Sequence, residues 1–138
     1  IAASVLLSRA LVQAAGEVAQ PTIVHIVDQR ITNPNGDQLS YTLSKQALAG
    51  SVRSLAAAFG TRARVNGVAP GLVIPTDDYD DVQMARLNDE MPLGQLPDAQ
   101  AIAEAVLYPA KAKHVTGQIV FVDGGAHLRS YPRDFMHL

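Results

Sequence analysis

The 138-residue chain has no cysteine and no tryptophan, and aromatic residues make up only 5% of it. Lack of cysteine rules out disulfides and thiolate metal sites and is compatible with a cytosol. Excess charge is lacking too: 11 Lys and Arg stand against 13 Asp and Glu, for a formal net charge of −2. That balance offers no electrostatic footprint for nucleic acid or an acidic membrane. No apolar run reaches membrane-spanning length. The opening Ile1-Ala2-Ala3-Ser4-Val5-Leu6-Leu7 has no basic region before it and is interrupted at Arg9, unlike a secretory signal or an anchor. These absences lead to the expectation of a cytoplasmic protein without nucleic-acid or membrane partners. An initiating Met is missing as well, and the chain opens inside a helical pattern. Both lead to the expectation that the N-terminal part of a longer protein precedes Ile1.

What is present is a chain 48% hydrophobic, dominated by alanine, valine and leucine. Apolar residues at Val5, Leu6, Leu11 and Val12 predict an amphipathic helix over about residues 1–15, ending near Gly16. Pro21 leads into Thr22-Ile23-Val24-His25-Ile26-Val27, a β-branched run suited to a buried strand. Asp28 sits at its end, and Asn33-Pro34-Asn35-Gly36-Asp37 marks a loop. A long helix follows from about Gln38 to Phe59, with Ala47, Ala49, Gly50, Ala56, Ala57 and Ala58 read as one small-residue face. Residues 62–68 form the next strand, ended by Ala69-Pro70-Gly71. An acidic, partly helical stretch runs from Asp77 to Met91, and Asp98 caps a helix reaching about Ala110. Gly117 opens the last strand, 118–122, closed by Asp123-Gly124-Gly125. Alternating helices and strands predict a parallel sheet covered by helices.

Within the long helix, Tyr41 and Lys45 lie one turn apart on the same face. A phenol working near neutrality needs its pKa lowered by about 3 units, roughly 4 kcal/mol. A cation about 5 Å away at an effective dielectric of about 20 supplies roughly 3 kcal/mol. The pair can therefore move a proton, although Tyr and Lys at this spacing are common on ordinary helices.

Three signals in fixed order give the pair a context. Tyr41-x-x-x-Lys45, Arg64-Val65-Asn66 followed by Pro70-Gly71, and Thr116-Gly117 with Asp123-Gly124-Gly125 together resemble the short-chain dehydrogenase/reductase family. The resemblance implies an α/β fold, a Rossmann-like doubly wound parallel sheet, of which residues 1–138 would be the C-terminal part of a single domain. The family's glycine-rich cofactor loop has no counterpart here, and its structural Asn would fall just before Ile1. By the same resemblance, Tyr41 and Lys45 are catalytic, Lys45 also bonds the ribose of a nicotinamide cofactor, and Pro70, Gly71 and Leu72 lie under the nicotinamide. Val73 is a wall residue.

Most family members carry Ser where this chain has Asp28, thirteen residues before Tyr41. Asp at this place is similar to the pteridine reductase branch, including dihydromonapterin-type reductases, as is the run Arg64 to Leu72 followed by Asp77-Asp78. Reducing a pteridine C=N takes a hydride to carbon and a proton to nitrogen, and a carboxyl beside the phenol can pass or orient that proton. If ionised, Asp28 raises the pKa of Tyr41 and opposes Lys45. Taken by itself, Asp28 also reads as a loop residue capping a turn. The implied activity is an NADPH-dependent reductase of a small molecule, a pterin, with NADH open because the residues that read the 2′-phosphate fall outside this stretch. A homo-oligomer, tetramer or dimer, is the family expectation. The alternatives are a general carbonyl or 3-oxoacyl reductase, and a truncated, inactive interaction module.

Elsewhere His25 reads as a satisfied strand residue, and His114, His127 and His137 lack metal-ligand spacing. Asp77, Asp78, Asp80 and Asp81 read as a solvated loop or helix start, so no metal site is expected. Met84, Leu87 and Met91 are read either as a substrate lid or as helix packing. Arg129 and the tail 130–138 could dock on this subunit, reach a partner's site, or fray.

Overall fold

A fully buried central strand between two partly buried neighbours builds the sheet. The computed structural model describes residues 1–17, 19–77 and 79–138. Helix α1 spans Ala2–Ala15, strand β1 Thr22–Ile26, helix α2 Leu39–Phe59 and strand β2 Arg64–Pro70. Helix α3 spans Asp81–Glu90, helix α4 Ala99–Lys111 and strand β3 Ile119–Val122. The strands lie in the order β1-β2-β3, and both pairings are parallel. Central β2 is buried at every position from Arg64 to Ala69. Its Val65 packs with Val12 of α1 and with Val52, Ala56 and Phe59 of α2. Ala69 packs with Val27, Leu48 and Ala49, and a methyl at Gly67 would meet Ile119 Cγ1 at 3.1 Å. The other side of β2 faces the chain around α4, where Asn66 Nδ2 donates to Val115 O at 3.0 Å and Asn66 Oδ1 accepts from Gln118 N–H at 3.1 Å.

Arg64 makes the tightest of these links. Its guanidinium donates to Pro109 O at 2.6 Å, Ala112 O at 2.7 Å and Ala110 O at 2.9 Å, and to Thr22 Oγ1 on β1. The last-turn carbonyls of α4, which a helix leaves unpaired, are thus closed by a residue of the sheet.

The elements follow the sequence pattern, with differences that have local causes. β2 begins two residues later than the expected 62 because Gly60–Arg62 forms a 3₁₀ turn closing α2. It also runs through Pro70, after which Gly71 supplies the N–H that bonds Val122 O at 2.9 Å. The loop after Asp28 contains a 3₁₀ turn, Gln29–Ile31. The small residues of α2 do not form one face. Ala49 and Ala56, seven residues and nearly two turns apart, are buried, whereas Ala47, Gly50, Ala57 and Ala58 are exposed; Gly50 and Ala57 follow their buried neighbours by about 100° of helical rotation. Asp80 caps α3 by accepting from Gln83 N–H at 2.7 Å, and Asp98 caps α4 by accepting from Ala101 N–H at 2.8 Å. Leu87 and Met91 pack against Ala126 and Phe135, which makes them core residues. The tail docks on its own chain. Among the described residues no helix is long and apolar enough to cross a membrane.

His25 is buried on β1 with Nε2 3.4 Å from Ser8 Oγ, and desolvation holds its pKa below the usual imidazole value. The unfolded chain takes up this proton first as the pH drops, so it binds more protons than the folded chain just below about pH 6.5. The folding stability that neutral His25 contributes should therefore be present above about pH 6.5 and be lost on acidification. Urea unfolding from about pH 7 to about pH 5 is expected to show this decline and His25→Gln to flatten it; identical pH dependence in both proteins would refute it.

Candidate active site

The C-terminal ends of β1 and β2 set the site. The β1 ladder continues past the strand through Val27 N–H to Val68 O at 2.8 Å, which delivers Asp28 to the rim in an extended conformation. Asp28 Oδ1 accepts from the Arg30 backbone N–H at 2.8 Å, capping the 3₁₀ turn. Its other oxygen, Oδ2, accepts from the Tyr41 hydroxyl at 2.8 Å. The capping and proton-handling readings of Asp28 are thus compatible, because each uses a different oxygen.

Lys45 lies one turn beyond Tyr41, as the spacing requires. Its Nζ donates to Ile26 O at 3.1 Å and lies 5.6 Å from the centre of the Tyr41 ring. Of the two opposed influences expected on the phenol, lowering by Lys45 and raising by Asp28, the raising prevails. The Tyr41 pKa is pushed well above the ordinary phenol value, first by burial and then by its hydrogen bond and charge interaction with Asp28. Burial outweighs the nearby cations, the hydrogen bond to the Asp28 carboxylate adds to it, and the Lys45 ammonium is bonded to a carbonyl. Tyr41 is therefore a neutral acid at physiological pH, the form that can donate a proton.

Asp28, Tyr41, Lys45, Pro70, Gly71, Leu72 and Val73 share one cavity of 440 Å³. Ile26, Val27, Ile74 and, from the first turn of α4, Ala99 and Ile102 complete it. Asp28, Tyr41 and Lys45 are its polar side chains, and the rest of the wall is largely apolar. Ile26 is 44% and Ile74 75% exposed, so large apolar side chains stand open at this cavity. Residues 99 and 102 carry no chemical signal and were not expected here. Met84, Leu87 and Met91 do not line it.

A second cavity of 400 Å³ is lined by Leu93, Leu96, Phe121 and His127 among others. His127 Nδ1 lies 2.9 Å from Asp123 Oδ2, a pairing that the i, i+4 spacing could have signalled. That carboxylate also accepts the backbone N–H groups of Gly125 and His127, and the imidazole stacks on Phe121 at 4.2 Å. The pair serves the Asp-Gly-Gly turn. Arg129 donates to Glu90 O of its own chain at 2.6 Å. Among the described residues no group of three or more His, Asp or Glu could hold a metal; Asp78 lies outside them.

Comparison with known proteins places the chain among reductases and dehydrogenases of related sequence and fold. The family model described as enoyl-(acyl carrier protein) reductase matches residues 2–127. A bovine 3-oxoacyl-[acyl-carrier-protein] reductase is 34% identical over 126 residues, covering 91% of this chain and 53% of the relative. Pteridine reductase 1 of Leishmania tarentolae is 35% identical over 111 residues, covering 78% of this chain and 38% of the relative. Among solved structures, alternative dihydrofolate reductase 1 (FolM) of Brucella suis in complex with NADP superposes with a TM-score of 0.87 at 34% identity, over 93% of this chain and 52% of that one. The chain spans about half the length or less of these relatives, and its parallel sheet and helices are those of a Rossmann-like fold.

A test of the site's framework falls on Gly71. A Cβ there would lie 2.9 Å from both Cα and Cβ of Asp123, and backbone cannot yield as a flexible side-chain end can. Gly71→Ala should lower stability by about 1–3 kcal/mol and shift the turn that carries Leu72 and Val73. An unchanged urea midpoint would show that the turn tolerates the methyl.

Proposed function

We propose that this chain, which belongs to the short-chain dehydrogenase/reductase family, forms the proton-donating part of an NADPH-dependent reductase of pteridines. Residues 1–138 are read as the C-terminal part of one Rossmann-like domain, from the order of the motifs. The observation that carries the substrate reading is the 2.8 Å hydrogen bond from Tyr41 to Asp28 Oδ2 at the cavity rim. A serine at this place offers a single hydroxyl to a carbonyl oxygen. A carboxylate accepts two or more hydrogen bonds and suits ring N–H and amino groups.

The cavity's apolar wall and polar end fit a nicotinamide with a heterocycle beside it. Lys45 would hold the cofactor ribose, and the turn Pro70-Gly71-Leu72 would support the nicotinamide. The bound cofactor supplies the hydride. Tyr41, kept neutral by its surroundings, gives its hydroxyl proton to the nitrogen of the reduced C=N bond. Asp28 orients that hydroxyl and the substrate's donors, and Lys45 offsets the negative charge left on the phenol oxygen. NADPH is favoured over NADH because the Brucella suis relative is an NADP complex. The exposed side chains of Leu7, Leu11 and Leu43 on α1 and α2 are read as the face of a homo-oligomer, dimer or tetramer.

A general carbonyl or 3-oxoacyl reductase is the second reading, supported by the bovine relative. NADPH oxidation measured with dihydropterins, dihydrofolate and a ketone panel separates the two. Turnover of pterins is expected, and turnover of ketones alone would overturn the pteridine assignment. Asp28→Ser should reduce pterin turnover by about a hundredfold or more, the usual scale of a lost acid–base partner, and full retained turnover would remove Asp28 from the chemistry.

A further inference from the structure

Arg30 has no part in the chemistry assigned above, yet several contacts of the site converge on it. Its backbone N–H holds Asp28 Oδ1, and its guanidinium Nε lies 3.9 Å from the same oxygen. Its Cζ is 5.6 Å from the centre of the Tyr41 ring, and Nη1 is 3.5 Å from Gln38 Oε1. Its Nη2 is ion-paired with Asp134 Oδ2. Asp134 comes from the far end of the chain and is 1% exposed, a burial that is costly for a carboxylate unless it is paired.

The segment bearing Asp134 grips the site loop at both ends. Asp134 N–H and Arg133 Nε both donate to Asp37 Oδ2, at 2.8 and 2.9 Å. Phe135 is buried against Leu87, Met91 and Ala126. Gln38, the residue before α2, has φ 51°, in the left-handed region that non-glycine residues rarely enter. Its side chain is held by Arg30 on one side and by Met136 Sδ, at 3.7 Å, on the other. Three residues later in the chain comes Tyr41.

We propose that Arg30 is a positioning residue for the Asp28–Tyr41 pair and that the segment 133–136, through Asp134, fixes it there. The inference rests on the reading that Asp28 and Tyr41 handle the proton. Two carboxylates share one guanidinium. Pulled towards Asp134, Arg30 presents its backbone N–H to Asp28 and leaves Oδ2 to the phenol. Released from Asp134, the guanidinium can swing into a direct ion pair with Asp28 and draw it off Tyr41. The charges around the phenol are then Asp28 and Asp134 against Arg30 and Lys45. Arg30 opposes the upward shift of Tyr41 and Asp134 adds to it.

Arg30→Met and Asp134→Asn are to be compared with wild type in the intact natural protein, for kcat, KM and the pH profile of kcat/KM. The assay uses whichever dihydropterin or ketone the protein reduces with NADPH. Both variants should lose about ten- to a hundredfold in kcat, the scale of a misplaced reacting group, with KM for NADPH little changed. Asp134→Asn, which removes an anion and leaves the cation free to pair with Asp28, should bring the alkaline limb, where the proton donor is lost, down towards the ordinary phenol range. Arg30→Met, which removes the cation, should bring no such limb into view. Lost packing alone would not separate the two variants in this way. Arg30→Lys and Asp134→Glu keep the charges and should restore the wild-type profile, and they carry the test if either first variant fails to fold. Wild-type kcat in both variants, or the same alkaline limb appearing in both, would overturn the inference. Because any reducible substrate serves, failure of the pterin assignment leaves the test standing. Failure of the proton-handling reading shows separately, as an undiminished rate in Tyr41→Phe.

Discussion

A buried guanidinium at the foot of β2 ties together the segments that the site depends on. Arg64 reaches Thr22 on β1 and three carbonyls in and just past the last turn of α4. A planar, permanently charged fork is suited to this role, because it meets several acceptors at fixed angles and brings positive charge to the negative end of a helix. With Thr22 opposite Arg64 in the register, β1 and β2 advance in step. Their far ends then deliver Asp28 and the Pro70-Gly71 turn to the same rim. The chemistry at one end of the sheet is aligned by a polar contact at the other.

Most of the fold was legible because its signals are local. β-branched runs, Gly-Pro punctuation and an Asp at Asp98 each act within a few residues, and the elements fall where these place them. The misread parts depend on partners remote in sequence. Which alanines of α2 are buried is decided by the sheet and by α1, so composition alone merged two sides of the helix into one. Leu87 and Met91 belong to the core because Phe135, from the tail, packs with them.

The site divides the same way. Tyr41, Lys45 and Asp28 stand out by type and spacing, and Pro70 to Val73 follow from the motif. The direction of the Tyr41 shift was not fixed by spacing, because its largest cause is burial, which the fold sets, and the hydrogen bond to Asp28 adds to it at 2.8 Å while Lys45 is bonded to Ile26 O. Arg30 sat beside Asp28 without any pattern to mark it, and Asp134 lies 104 residues further on. Sequence shows which groups can react; only the folded chain shows which groups hold them.

Helix α4 joins these two scales. Its C-terminal end is seated on Arg64, while Ala99 and Ile102 in its first turn form part of the cavity wall. It acts as a strut with a fixed foot. One added or deleted turn between wall and foot would move that wall by about 5.4 Å, leaving Asp28, Tyr41 and Lys45 where they are. A lineage could therefore resize this cavity by changing a helix length, with Asp28, Tyr41 and Lys45 left in place.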